Sequence, residues 1–472
     1  MKTLRFVVLL VALVATTAGL AQQQPIEVWR QNFTMGGSGD FAFGASLNGD
    51  GSIIVVGDRF PNATAAITKF SSSGQQLWTT LDTTIGTISF LGHSALFGDG
   101  AIAWFSGSES QGWLNSTITC LTPSGNWVWR IVVNGLFYLG RGPTDTTVVA
   151  IRSGDAPVAV IIGRSGTILR QFPVGEYAGS NISIRSFGSN LLVGAHYRNT
   201  TGAKSFYVAK YNVSSGQELW RQNFDSMIRG FMDIDESGNP FVAGSVVVPP
   251  NSRLKFLEAK ITSTTGAIVW QEESVGPTNP FQNWVNGITV SPVVNGKQEV
   301  VMFGAVGRTD SNSINDATYA LSRRASDGQR LWVMSWFDNS TSNVITGGVF
   351  DRNGDLILVE MKNSPNRIWK FAVPTLSVRE VGGLPETFSL SQNYPNPFNP
   401  STTIKFEIME ATKVHLAVYD LLGRPVEVLV NERLTPGVYE ARFEPKGLAS
   451  GVYLYRLVTE KSVAKRKMLL LK

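Results

Sequence analysis

The side chains of this sequence that could do chemistry are few. His93, His196 and His415 are its three histidines and Cys120 its one cysteine. None of the histidines stands at the His-Glu-x-x-His spacing that seats zinc on one helix face, and none has the Cys/His spacing of a structural zinc site. Cys120 alternates with apolar residues in "STITCLT", the pattern of a buried strand thiol, and without a placed base it is no nucleophile. There is no Gly-x-Ser-x-Gly elbow and no phosphate-cradling loop, and "GRGPTD" from Gly140 imitates one only superficially. The turns "DRNGD" (Asp351 to Asp355) and "DESGN" (Asp235 to Asn239) offer carboxylates to calcium. Calcium takes about six to eight oxygens, and each turn supplies two or three. Plain hairpin turns are therefore the expectation, with no catalytic residue, metal or cofactor assigned.

The elements that must position any site are strands. The chain has 472 residues, 47 of them glycine, and only 16% are charged, which describes a turn-rich β protein of more than one domain. A net charge of +5 over this length is too weak for a nucleic-acid groove. Residues 1–21 read as a secretory signal peptide. Lys2 and Arg5 precede an apolar run, and Gly19 and Ala21 set up cleavage between Ala21 and Gln22. A lone cysteine excludes an intrachain disulfide, so stability must come from packing.

One phrase recurs through residues 22–383. A Ser/Thr-rich turn with a glycine is followed four positions later by tryptophan, in "SSSGQQLW" (Trp78), "TPSGNWVW" (Trp129), "VSSGQELW" (Trp220), "STTGAIVW" (Trp270) and "ASDGQRLW" (Trp332). "GRSGTILR" keeps Gly166 but carries Arg170 where tryptophan would stand, and "EVWR" at Trp29 has no hairpin before it. The glycine supplies the positive φ of a tight hairpin, and the indole buries a large surface at a fixed distance from it. Asp/Asn-Gly turns such as "SLNGDGSIIVVG" lie between these phrases, so each unit of about fifty residues reads as four strands. Such units arranged radially make a β-propeller of about seven blades. The last blade has only "LSVREV" as its own fourth strand, and the orphan "IEVWRQNF" near the N-terminus can pair there and close the ring.

The glycine-to-tryptophan phrase resembles, loosely, the docking repeats of quinoprotein-like propellers and of cofactor-free scaffold propellers of bacterial outer-membrane assembly. The paired cysteines of the quinone enzymes have no counterpart beside the single Cys120. The resemblance therefore implies blade-to-blade packing by Trp29, Trp78, Trp129, Trp220, Trp270 and Trp332, without a cofactor.

Residues 384–472 use other motifs. Alternating strands such as "TTIKFEIME" and "GVYLYRLVTE" describe a small Ig-like antiparallel β-sandwich. Ahead of them "NYPNPFNP", running Asn393, Tyr394, Pro395, Asn396, Pro397, Phe398, Asn399 and Pro400, cannot be a central strand, because proline lacks the ladder donor. It reads as a polyproline-like strap pinned by burial of Tyr394 and Phe398. Together with "VYDLLGR" (Tyr419, Asp420, Gly423, Arg424) and "SGVY" (Gly451, Val452, Tyr453), this segment resembles the type A C-terminal sorting domain of the bacterial type IX secretion system. The resemblance implies periplasmic transit, recognition by an outer-membrane translocon and its sorting machinery, and release or attachment at the cell surface.

What the propeller does there is less legible. The leading reading is a monomeric, non-enzymatic module that binds a surface glycan or protein through the loops at one end of its channel. The alternative is a hydrolase or lyase on polysaccharide or peptide, with carboxylates of several blades meeting in that channel. Trp104, Trp113, Trp284 and Trp336 fall outside the docking phrase and are candidates for stacking on sugars.

Overall fold

The computed structural model describes residues 25–471 apart from 38–39, 60–63, 83–92, 108–115, 136, 155, 176–181, 199–201, 249–252, 275–282, 295–296, 307–316, 337–343, 362–364, 374–377, 383–386, 411, 435 and 446–447. The expected cleavage site at Ala21 and Gln22 and the side chain of Trp113 thus lie outside the described residues. Every regular element described is a strand. The chain divides into two compact units, one of residues 1–292 with 299–371 and one of 293–298 with 372–472.

Seven four-stranded sheets make up the described part of the first unit. Six are meanders of consecutive antiparallel strands: blade 1 (residues 41–82), blade 2 (93–133), blade 3 (137–173), blade 4 (183–224), blade 5 (227–274) and blade 6 (283–336). Blade 7 takes three strands from residues 344–372, and Ile26–Phe33 completes it from the other end of the chain. The innermost strands touch in cyclic order, Phe41–Leu47 against His93–Leu96 and onward around to Val344–Phe350, which packs back on Phe41–Leu47. The Thr346 hydroxyl donates to the Ala42 carbonyl at 2.8 Å across this closure. A propeller ring is therefore shut without a bare sheet edge between first and last blades.

The recurring glycine sits where each third strand turns into the fourth, and what it meets is the preceding blade's indole. Gly125 has φ +86°, and a Cβ built on it would stand 2.9 Å from Trp78. In the same way Gly74 faces Trp29, Gly166 faces Trp129, Gly266 faces Trp220 and Gly328 faces Trp270. Four of the indole N–H groups donate to the turn they cover: Trp78 to Pro123 O (3.3 Å), Trp129 to Arg164 O (2.8 Å), Trp220 to Ser263 O (3.1 Å) and Trp270 to Ala325 O (3.2 Å). Blade 3 has Arg170 at the tryptophan position, and Phe172, two residues on and so on the same strand face, packs on Gly216 instead. Trp332 precedes a blade whose fourth strand comes from the N-terminus, so no turn of this kind awaits it. Its ring is fully buried and donates to the Glu299 carboxylate at 2.9 Å.

The second unit is a sandwich of two four-stranded sheets. One has the order Val378–Gly382, Gly437–Phe443, Thr402–Ile408, Ser389–Leu390, and the other Pro425–Leu434, Thr412–Tyr419, Gly451–Val458, Val463–Leu470. Strict alternation puts Ile404, Phe406, Leu416, Tyr439, Tyr455 and Leu457 into one core. The strand Val378–Gly382 lies on the propeller side of the sequence-based boundary at residue 384, yet it pairs with Gly437–Phe443 of the sandwich. The physical reason is that Ile26–Phe33 already occupies the outer edge of blade 7.

Two substitutions check the docking interaction by equilibrium unfolding of the chain. Trp129→Ala removes an indole and its hydrogen bond and is expected to cost about 2–4 kcal/mol. Gly125→Val is expected to cost at least about 2 kcal/mol, because it strains a positive φ and collides with Trp78.

Candidate functional site

Carboxylates in the propeller are mostly committed to the ring. Asp351 Oδ1 accepts the Asn353 and Asp355 amides at 2.8 and 3.0 Å, and Lys370 Nζ lies 2.6 Å from Asp351 and 3.0 Å from Asp355. Burial works against the charge on Lys370, but the two carboxylates prevail and hold its pKa above the usual lysine value. Asp235 closes its turn through the Ser237 and Asn239 amides at 2.9 and 2.8 Å and faces Lys260 at 3.6 Å. In both turns a lysine ammonium supplies the positive charge a metal would bring. Among the described residues no group of three His, Cys, Asp or Glu gathers.

His196 and Cys120 also take structural places, while the side chain of His93 lies outside the described residues. His196 is fully buried between blades 4 and 5, where Nδ1–H donates to Ser205 O at 3.2 Å and Nε2 accepts the Gly230 amide at 3.2 Å. Burial, helped by the charge of Lys204, holds it neutral with a pKa of about 4. Cys120 is buried against Arg164, and burial pushes its thiol up to about 11. His415 lies on a strand of the sandwich. Of the unassigned tryptophans, Trp104 is buried in the interface between blades 1 and 2 and cannot stack on a ligand. Trp284 is half-buried on the inner strand of blade 6.

The inner wall of blades 4 to 7 carries the propeller's remaining polar chain. Arg185 of blade 4 donates to Asp233 of blade 5 at 2.6 Å, and the other Asp233 oxygen accepts the Val290 amide of blade 6 at 3.0 Å. Arg229 of blade 5 donates to Asn286 Oδ1 at 2.9 Å, and Asn286 Nδ2 donates to Ile345 O of blade 7 at 3.1 Å. Inner strands run away from the face on which each enters its blade, so the links between blades and those between second and third strands share that face. On it lie the strand ends that the long links join, Asp82 with His93 and Val306 with Ala317.

In the sandwich the strap is held from inside. Asn393 is buried; its amide donates to the Tyr455 hydroxyl at 2.9 Å, and its Nδ2 donates to Pro395 O (3.1 Å) and Thr402 Oγ1 (2.9 Å). Tyr455 in turn donates to Ser391 O at 2.8 Å. Tyr455 and Thr402 were not singled out in the sequence, although Tyr455 stands two residues from Tyr453 and so shares its strand face. The Asn396 side chain accepts the Leu469 amide at 2.9 Å, and Phe398 exchanges backbone hydrogen bonds with Leu469 and Leu471 at 3.0 Å while its ring packs on Phe443. The backbone is a run of bends with cis peptide bonds before Pro395, Pro397 and Pro400, in place of the extended polyproline geometry expected. Asn399 and Pro400 end it. Tyr394 corrects a second expectation. Its backbone bridges to Thr403, which turns the ring outward, and the residue is 83% exposed.

The remaining motif residues converge on the same end. Tyr419 pairs with Leu454 and accepts a hydrogen bond from Arg456 at 3.0 Å. Asp420 caps the following turn through the Leu422 and Arg424 amides and the Arg424 side chain, with Gly423 at φ +78°. Gly451 opens its strand opposite Leu470, Val452 is exposed beside it, and Tyr453 donates to Ala449 O at 2.9 Å. Register therefore brings the strap, the turn at 420–424, the start of the Gly451 strand and Leu469–Leu471 to one end. Tyr394, Leu421 (68%), Leu422 (78%) and Leu471 (48%) stand out from it into solvent.

Residues 392–471 match the family described as the secretion system C-terminal sorting domain. That segment is a type IX sorting domain, and the chain is an exported protein that is attached at the cell surface or released outside the outer membrane. No curated protein matches the sequence. Among solved structures, the chain is similar to a catalytically inactive virginiamycin B lyase from Staphylococcus aureus bound to quinupristin, at 13% identity and TM-score 0.44, covering 73% of this chain and 99% of that one. It is also similar to BBS1N in complex with ARL6DN (12%, TM-score 0.46, 75% and 98%) and to a protein of unknown function from Bacteroides caccae (12%, TM-score 0.35, 63% and 94%).

The buried His196 predicts a pH dependence. Its pKa is about 4 when folded and about 6.5 when unfolded, so between those values the unfolded chain binds the extra proton. The stabilising contribution is therefore complete above pH 6.5 and lost progressively as pH falls towards 4. Thermal melts of the chain and of His196→Gln should show a gap that narrows over that window as the pH is lowered.

Proposed function

We propose that the protein is a binding module delivered to the cell surface, its sandwich serving as the address and its propeller as the cargo. The signal peptide of residues 1–21 takes the chain into the periplasm. The sorting tail then engages the outer-membrane machinery through the end where its motifs gather. The observation that carries the reading is the convergence of the strap, the turn at 420–424 and the last strand, with Leu421 and Leu422 facing solvent although nothing in the sandwich needs them exposed. A propeller supplies a rigid ring, and its long-link face is where ligand-binding groups are placed most freely.

Export tests this directly. A chain lacking residues 392–471 should stay behind the outer membrane, and the recovered exported protein should begin at Gln22. Leu421→Asp combined with Leu422→Asp should abolish surface delivery while leaving the melting temperature within a few degrees of the parent, since neither side chain packs on the core. Normal delivery of that double variant would sink the docking assignment.

A further inference from the structure

Resting on the binding-module reading, we infer that the inner wall of blades 4 to 6, at the long-link face, binds an acidic saccharide through the Arg229 guanidinium. The argument starts from an imbalance of charge. Arg130, Arg185, Arg323 and Arg367 are drawn into the ring, and each holds a carboxylate: Asp82 at 3.1 Å, Asp233 at 2.6 Å, Glu258 at 2.5 Å and Glu360 at 3.1 Å. Arg229 is half-buried too, and among the described residues no carboxylate pairs with it. Its one side-chain hydrogen bond goes to the neutral Asn286, and its guanidinium carbon lies 5.0 Å from the centre of the Trp284 ring. Burial holds its pKa below the usual guanidinium value, with no acid working in the other direction.

The neighbours increase the imbalance. Lys204 and Arg198 are register partners at the ends of adjacent strands of blade 4. The pKa of Lys204 is lowered by burial and then by the charges of Arg229 and Arg198, so Lys204 stands within the field of both guanidinium groups. All lie at strand ends on one face of the ring: Arg198 ends a second strand, Lys204 begins a third, and Arg229 and Trp284 stand near the start of inner strands. A site short of negative charge is a site for an anion.

The shape of the donors narrows the ligand. A guanidinium with one donor engaged keeps several N–H groups in a fixed fork that matches a carboxylate or sulfate in bidentate fashion. The Trp284 indole beside it offers apolar surface to whatever carries the anion. A uronate or sulfated sugar unites both, an acid group and a ring with C–H faces. Such ligands are met outside the outer membrane, where the sorting tail sends this chain.

Calorimetric titration of the whole exported protein at physiological salt tests the proposal with three probes: oligogalacturonate, a sulfated oligosaccharide and a neutral oligogalactan. Either or both acidic probes should bind, their difference telling carboxylate from sulfate, and the neutral one should not. Arg229→Ala should weaken the binding about ten- to a hundredfold, Arg229→Lys less, and Trp284→Ala measurably. Should Arg229→Ala fail to fold, Arg198→Ala with Lys204→Ala, both outside the core, should still weaken binding severalfold. Binding of the neutral probe unaffected by Arg229→Ala would overturn the anion site while leaving a binding module. No heat with any of the three would overturn both. A DNA oligomer of equal charge binding as tightly as the acidic sugars would overturn the saccharide assignment.

Discussion

An indole laid over the next blade's turn is the contact on which the rest of this molecule depends. A four-stranded sheet has two apolar faces and no way to bury either alone, so each blade is stable only against its neighbours. The turn glycine does two things at once. Its positive φ makes the hairpin tight, and its missing side chain leaves the gap that Trp29, Trp78, Trp129, Trp220 or Trp270 fills. The indole N–H then satisfies a turn carbonyl that would otherwise lie under an aromatic ring without a partner. Trp29 has a further part, because its strand belongs to blade 7 while its ring rests on blade 1, so the contact that spaces the blades also locks the ring.

Charge follows the same logic of neighbours. Arg130 with Asp82, Arg185 with Asp233 and Arg323 with Glu258 each join two blades, the last pair buried. Half-buried or buried pairs of this kind add little net stability, but removing one partner strands the other, so they hold adjacent blades in register. Arg229 departs from this habit near the start of an inner strand, where its guanidinium bonds the neutral Asn286. In the sandwich the polar groups turn inward instead. Asn393, Thr402 and Tyr455 bind the strap from beneath, while Tyr394 of the strap and Leu421 and Leu422 of the turn at 420–424 stand out into solvent.

Several features were legible before any coordinates. Glycine four residues before tryptophan states a hairpin and an anchor, alternation in "TTIKFEIME" states a half-buried strand, and the proline run excludes a central strand. Others depended on partners distant in sequence. Phe172 takes over from the missing tryptophan because strand residues two apart share a face, yet nothing local says that Gly216 waits for it. Ile26–Phe33 was legible as a strand able to close the last blade, but that Val378–Gly382 joins the sandwich depends on its pairing with Gly437–Phe443, some sixty residues away. Tyr394 is aromatic and was expected inside, but the bridge of its backbone to Thr403 turns the ring to solvent.

By itself the sequence determined the class of fold, the presence of a radial repeat and the sorting tail, because turn chemistry, strand periodicity and contiguous motifs are properties of neighbouring residues. Only the tertiary structure decided which blade each tryptophan serves, which lysine neutralises Asp351, and that Arg229 has no carboxylate among the described residues. Those depend on groups tens to hundreds of residues apart, brought within a few ångströms by closure of the ring, and no local pattern in a chain encodes such a meeting.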